Sequence, residues 1–471
     1  AKGVQLSRLD LRGQQIGRIG AAALAEVLGR DNYLTYVNME GNELSDEGAT
    51  LITQALETHQ TIFRLDLGFN GIGPKGVKAV SALLLSSQSL LCLDLSGNNL
   101  WSRLSLLAPA SLSALAPLGR ALASDNCKLQ LLHLEQSDIE PKGLAALVDG
   151  LLHNKVLVNL KLGENNLDVR SAHVLAKLIS ANTALTNLDL RDNKLRDAGA
   201  QALSVALTEN DTLRCLVLWN NALGATGVSA LAEPLGSVAT GLHILDLGAN
   251  SVGSAGATAL KEALIKNTSL HTLGLANTQL GEEGGIAIAE VVEGNQRLER
   301  LDLRRNQLGV AGLMALRLSM KTNTALCEVA LDAVSEEADQ SARELLEMFQ
   351  AEIRGVCMNN SKRNDGDAGD GASGSVPLPT TGPSAIDMLS KMRALDADGS
   401  ASATAAARPA AHVVDAPTSA TAVPPLIGSA TGSDQKQVTP LATVAEREQE
   451  QVVAAKASAA AAAAAQAEAE A

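Results

Sequence analysis

The chain has 471 residues, 46% of them hydrophobic but only 1% aromatic, and carries a net charge of −14 with a pI near 5.0. That acidity argues against nucleic acid and against anionic membranes as partners. No run of about 20 strongly apolar residues occurs, so no membrane span is expected. A unit begins almost at once and is clearest from Leu185 to Thr212. Leu188-Asp189-Leu190 has the period of a strand, and Ala198 to Leu207 has the period of a helix. The first leucine-type position recurs at Leu6, Leu34, Ile62, Leu90, Leu129, Leu157, Leu185, Leu213, Leu242, Leu270, Leu298 and Leu326. The step is 28 residues, except for 39 after Leu90 and 29 after Leu213.

A repeat of this length written L-x-x-L-x-L-x-x-N is the leucine-rich repeat signature. Its ninth position is Asn42, Asn70, Asn98, Asn165, Asn193, Asn221, Asn250 and Asn306, and Gln14, Ser137, Thr278 and Val334 elsewhere. An amide there can satisfy backbone groups left unpaired where the chain leaves the strand. Parallel strands sit about 4.8 Å apart and packed helices about 8–10 Å apart. One strand and one helix per unit must therefore curve. The expected fold is an α/β horseshoe solenoid, with parallel strands on the concave side and helices on the convex side. The 28-residue form resembles the ribonuclease-inhibitor class of leucine-rich repeats over residues 1–334. Glycines recur at one offset (Gly48, Gly76, Gly199, Gly256 and others), where a side chain would crowd the strand-to-helix crossing.

In chain order, no cap precedes Leu6, and a polar cover is expected upstream of Ala1. An apolar insertion follows near 100–118, with Trp101 at its start and Pro109 and Pro117 forbidding one continuous helix. Insertions in solenoids map to loops, often on a binding face. The repeat fails after Leu331, and residues 335–360 read as a capping helix with Leu345, Leu346, Phe349 and Ile353 on one face. Residues 361–471 are rich in Ala, Gly, Ser, Thr and Pro and read as a disordered tail. Within it, Ser384–Leu395 has the stripe of a short partner-binding helix.

Catalytic chemistry finds no foothold. The Gly-rich stretches follow the repeat offset, and no G-x-x-x-x-G-K-[ST] occurs. His133, His153, His173, His243 and His271 scatter over different repeats without metal-ligand spacing. The expectation is no enzyme, no catalytic residue, no cofactor and no metal. Five cysteines without paired spacing read as reduced thiols of an intracellular protein, cytoplasmic or nuclear.

Residues alternating with the buried leucines point to the concave side. Along most of it Asp is the commonest entry and Arg its neighbour, which reads as a solvated surface of ion pairs. Repeats eight to ten differ. Val217 and Ile244 form an apolar floor there, with Trp219 beside them, Asp189 and Asp246 alongside, and Arg191, Arg300 and Arg304 at the rim. A Trp among Arg residues is the composition of a binding hot spot. These residues, with Trp101, are the candidate partner site. The bland reading is that Trp219 lies flat on its neighbouring strands.

Four stretches go beyond what the repeat dictates: Leu213-Arg-Cys-Leu-Val-Leu-Trp-Asn-Asn-Ala-Leu-Gly224, Leu273–Gly281, Leu301–Asn306 with Gly312–Leu316, and Ala351–Cys357. They resemble the leucine-rich repeat regulatory subunits of protein phosphatase 1. The resemblance implies an inhibitory, non-enzymatic scaffold whose protein partner is a protein phosphatase 1 catalytic subunit, with the chain itself a monomer. That family docks through a basic-x-Val-x-Phe strand before the repeats; the nearest match is Lys2-Gly-Val-Gln-Leu6, with Leu6 in the Phe place. Two other functions suit the repeat class: a GTPase activator of the Ran type, or a structural component of a large assembly such as a cilium. A Ran-type activator carries a strongly acidic tail, whereas residues 361–471 hold 8 basic and 13 acidic residues.

Overall fold

The computed structural model describes residues 7–100, 115–237, 240–334 and 340–366, all of which fall in one compact unit. Trp101, most of the insertion and the tail from residue 367 lie outside the described residues. Twelve strands form one parallel sheet in sequence order. They are β1 (Arg8–Asp10), β2 (Tyr36–Asn38), β3 (Arg64–Asp66), β4 (Cys92–Asp94), β5 (Leu131–His133), β6 (Asn159–Lys161), β7 (Asn187–Asp189), β8 (Cys215–Val217), β9 (Ile244–Asp246), β10 (Thr272–Gly274), β11 (Arg300–Asp302) and β12 (Glu328–Ala330). A helix follows each strand except β8, where the one-residue-longer repeat splits it into Ala225–Ala230 and Ala232–Leu235. The register pairs equivalent positions throughout, so Leu188 faces Leu160 on one side and Leu216 on the other. One continuous leucine-rich core runs between sheet and helices. The α/β solenoid expected from the period is the fold observed.

Two asparagine ladders hold the repeats together. The ninth-position Asn193 accepts from the backbone N–H groups of Asn165 (3.0 Å) and Leu167 (2.9 Å) in the preceding repeat. Its Nδ2 donates to the carbonyls of Leu162 (3.0 Å) and Leu190 (2.9 Å). One side chain thus satisfies buried backbone on two repeats, and neither a carboxylate nor a hydroxyl carries that donor–acceptor set. A second ladder sits where each helix returns to the sheet. Asn182 donates to Leu151 O (2.7 Å) and Asn154 O (3.0 Å) and accepts from the N–H groups of Ala184 and Leu185. The last of the described helices, Gln340–Gly366, continues this ladder: Asn360 donates to Asn323 O (3.1 Å) and Leu326 O (3.0 Å). That helix buries Phe349, Ile353 and Cys357 against the final repeat, while Leu345, expected on the same face, is exposed.

Helix starts are also fixed across repeats. The Asp46 carboxylate accepts from the N–H groups of Gly73 (2.7 Å) and Gly76 (2.8 Å), so one helix caps the next. The recurring glycines crowd two partners. A side chain at Gly199 would meet Leu195 Cβ, where the chain passes from strand to helix, at 2.9 Å and Ala172 Cβ, on the preceding helix, at 3.1 Å.

Candidate functional site

With helices on one face, the other face of the sheet is built from three columns of side chains: the first and third residues of each strand and the second residue beyond it. At about 4.8 Å between strands, a side chain in the middle column is hemmed in on both sides. Most of the middle column is therefore buried: Asn38, Asp66, His133, Asp189, Val217, Asp246 and Asp302 are buried, whereas Asp94, Lys161 and Ala330 are half-buried and Asp10, on the first strand, is exposed. This corrects the expectation of a solvated surface.

Buried carboxylates must be paired, and here their partners come chiefly from their own or the adjacent strand. Arg191 donates Nε–H to Asp189 at 2.8 Å, and its backbone N–H donates to the same carboxylate at 3.0 Å. Burial works to raise the Asp189 pKa, but the Arg191 charge and hydrogen bonds hold it below the usual carboxylate range. Arg191 is itself buried and is no exposed rim cation, as the sequence suggested. Arg304 forks onto Asp302 through Nε (3.0 Å) and Nη2 (2.8 Å), and Arg300 lies 3.7 Å from Glu328 on β12. Asp246 accepts from the N–H of Gly248 at 3.0 Å.

The residues proposed from sequence on β7–β11 do come together on adjacent strands. They differ in burial. Val217, Asp189, Asp246 and Arg191 are buried, as are Thr272 and Ala276 on the same face, while Trp219, Ile244, Arg300 and Arg304 are half-buried. The Trp219 ring reaches Gly248 of the next repeat, with Cζ3 and Cε3 at the place a side chain there would take, and the residue stays half-buried. Burial, with the charges of Asp189 and Asp246, pushes the Cys215 thiol up to about 12, so it is no nucleophile.

Sequence reasoning missed a second constellation. Tyr36 donates its hydroxyl to Asp66 at 2.8 Å and is flanked by Arg8 and Arg64, whose guanidinium carbons lie 4.3 and 5.4 Å from the ring centroid. Arg64 donates Nε–H to Asp66 at 2.9 Å. The signal was present: Arg8, Tyr36 and Arg64 stand one repeat apart in the first column. Further on, His133 Nδ1 lies 3.6 Å from Asp94. Burial raises the Asp94 pKa, but the His133 hydrogen bond and charge and the Ser96 N–H outweigh it and bring it down to about 2. No group of three or more His, Cys, Asp or Glu among the described residues is arranged to hold a metal ion. No helix of the described residues is long and apolar enough to cross a membrane.

A repeating strand–helix unit with in-register leucines and an asparagine ladder defines a solenoid protein. A family model described as Leucine Rich repeat matches residues 30–52, 58–81, 125–148, 181–204, 209–232, 266–289 and 294–316, and the chain is a leucine-rich repeat protein. No curated protein matches it. Similar solved structures include LegL7 of Legionella pneumophila, a leucine-rich repeat-containing protein, at 18% identity and a TM-score of 0.43, covering 74% of this chain and 97% of that one. An internalin (inlF) of Listeria monocytogenes is 20% identical with a TM-score of 0.36, covering 71% and 88%. The actin-binding site 2 of leiomodin-1 is 15% identical with a TM-score of 0.17, covering 50% and 83%.

Proposed function

We propose that the chain is a non-enzymatic protein-binding scaffold that engages its partner with the sheet face at β8–β11. The observation that carries this reading is that Trp219 and Ile244, on adjacent repeats, stay half-buried while Val217, Thr272 and Ala276 on the same sheet face are buried. Aromatic side chains that keep apolar area on a rigid support are where interfaces concentrate their energy. The finer reading is an inhibitory regulator of a protein phosphatase 1 type enzyme, acting as a monomer in the cytoplasm or nucleus. It is supported by the resemblance of Leu213–Gly224, Leu273–Gly281, Leu301–Asn306, Gly312–Leu316 and Ala351–Cys357 to protein phosphatase 1 regulatory subunit 37. The test is calorimetric titration of the full chain into protein phosphatase 1 catalytic subunit, with phosphatase activity followed in parallel. Binding with loss of activity supports the regulator. Absence of binding removes the phosphatase and leaves the scaffold. Acceleration of Ran GTP hydrolysis by trace amounts of the chain overturns both.

A further inference from the structure

A Cβ placed on Gly248 would lie 2.0 Å from Cζ3 and 2.1 Å from Cε3 of Trp219. Both atoms belong to a rigid ring, so the conflict cannot be relieved by bending a flexible chain end. The backbone of Gly248 cannot withdraw either. Its N–H is held by Asp246 at 3.0 Å, and its carbonyl accepts from Asn220 N–H at 2.9 Å and from Asn250 Nδ2 at 3.1 Å. Beneath it, Ala276 O would be 3.1 Å from the added carbon. The indole is what must move. At the equivalent Gly163 the neighbour that crosses is the Arg191 chain, with Cγ at 2.9 Å, and at Gly68 it is Glu40, with Cγ at 3.6 Å. Only at Gly248 does the missing side chain seat an aromatic ring among these three.

The surroundings narrow what such a ring receives. Arg304 is forked by Asp302, Arg191 is engaged by Asp189, and Arg300 stands beside Glu328. These cations of the sheet face already face carboxylates, whereas Val217, two residues before Trp219, and Ala276, beside Gly248, offer carbon. Building on the reading of this face as a binding surface, we propose that Gly248 is the positioning residue of a Trp219 platform, which receives an uncharged apolar side chain presented by a protein partner.

Two measurements test this. The first needs no ligand. The chain has two tryptophans, so Trp101→Phe leaves Trp219 as the sole indole. In that background Gly248→Ala is expected to raise acrylamide quenching of the indole; unchanged quenching overturns the positioning role. Should Gly248→Ala unfold the chain, adding Trp219→Ala is expected to restore folding, because the clash is with the ring. Failure to restore it overturns the proposal. The second measurement selects a displayed library of random short peptides on the full chain. Selected peptides are expected to carry a fixed Leu, Ile, Met or Phe, and to bind at least about tenfold more weakly to Trp219→Ala and to Gly248→Ala. Peptides fixed instead at Asp or Glu, weakened by Arg304→Ala and not by Trp219→Ala, overturn the apolar class. Peptides that ignore Trp219 altogether, with the quenching change intact, defeat the binding reading itself and leave only the ring's placement.

Discussion

Repeats two to seven and repeats eight to ten present the same three columns on the same sheet, yet they differ in what they leave for a partner. In the first region the middle column carries Asp66, Asp94, His133 and Asp189, and each is answered inside the molecule, by Arg64 and Tyr36, by pairing of His133 with Asp94, and by Arg191. In the second, Val217 needs no partner, Asp246 accepts from the Gly248 N–H, and Trp219 and Ile244 are left half-covered. A buried charge consumes its neighbour's hydrogen-bonding capacity, whereas a buried apolar residue consumes none. The polar region is therefore satisfied within the chain, and the apolar region keeps area that association can bury.

The largest expected effect breaks the polar side of that contrast. Asp189→Ala leaves Arg191 buried without its carboxylate and should cost about 3–5 kcal/mol, read as a lower midpoint in urea unfolding. A loss under 1 kcal/mol would mean that the pair is solvated and the two regions are alike. Next comes the apolar side. Trp219→Ala should weaken partner binding by more than about thirtyfold, on the order of 2 kcal/mol, while changing the unfolding midpoint little. If that variant unfolds, the indole belongs to the core; if it folds and binds normally, the site lies in another part of the chain, with the insertion at Trp101 the first place to look.

A smaller effect is set by pH. Asp94 titrates at about 2 in the folded chain, below the usual carboxylate value of about 3.9, so the folded state binds fewer protons than the unfolded one. Its contribution is present above the unfolded value and is lost as pH falls toward 2, amounting to about 2–3 kcal/mol. His133→Asn should move the Asp94 carboxyl midpoint, followed by carbon-detected NMR, upward toward the ordinary range. An unmoved midpoint would assign the shift to Ser96 alone. The smallest effect is the control: Lys78→Ala, exposed on the helix Pro74–Ser86, should change stability by less than about 0.5 kcal/mol and leave binding untouched.

Much of this was readable before any coordinates. The 28-residue spacing of Leu185, Leu213 and their counterparts determined the strand, the helix and the parallel stacking, because leucine must be buried and the only repeating way to bury it is against the next copy. Asn193 was legible as a ladder residue because a short amide both accepts and donates twice at that turn. The three columns followed from the two-residue period of a strand. What those columns do was decided by tertiary structure. Burial of Asp189 and Asp246 depends on neighbours a whole repeat away, which hem the middle column at the strand spacing and turn an apparently wet surface dry. The exposed-looking Arg191 folds back onto a carboxylate two residues before it. Trp219 comes to rest across Gly248, 29 residues onward, because the repeat register sets those two positions side by side and glycine leaves a ring-sized gap. Periodicity names the positions that can meet; whether they fill, pair or stay open depends on the volumes and charges of side chains brought together only when the strands are stacked.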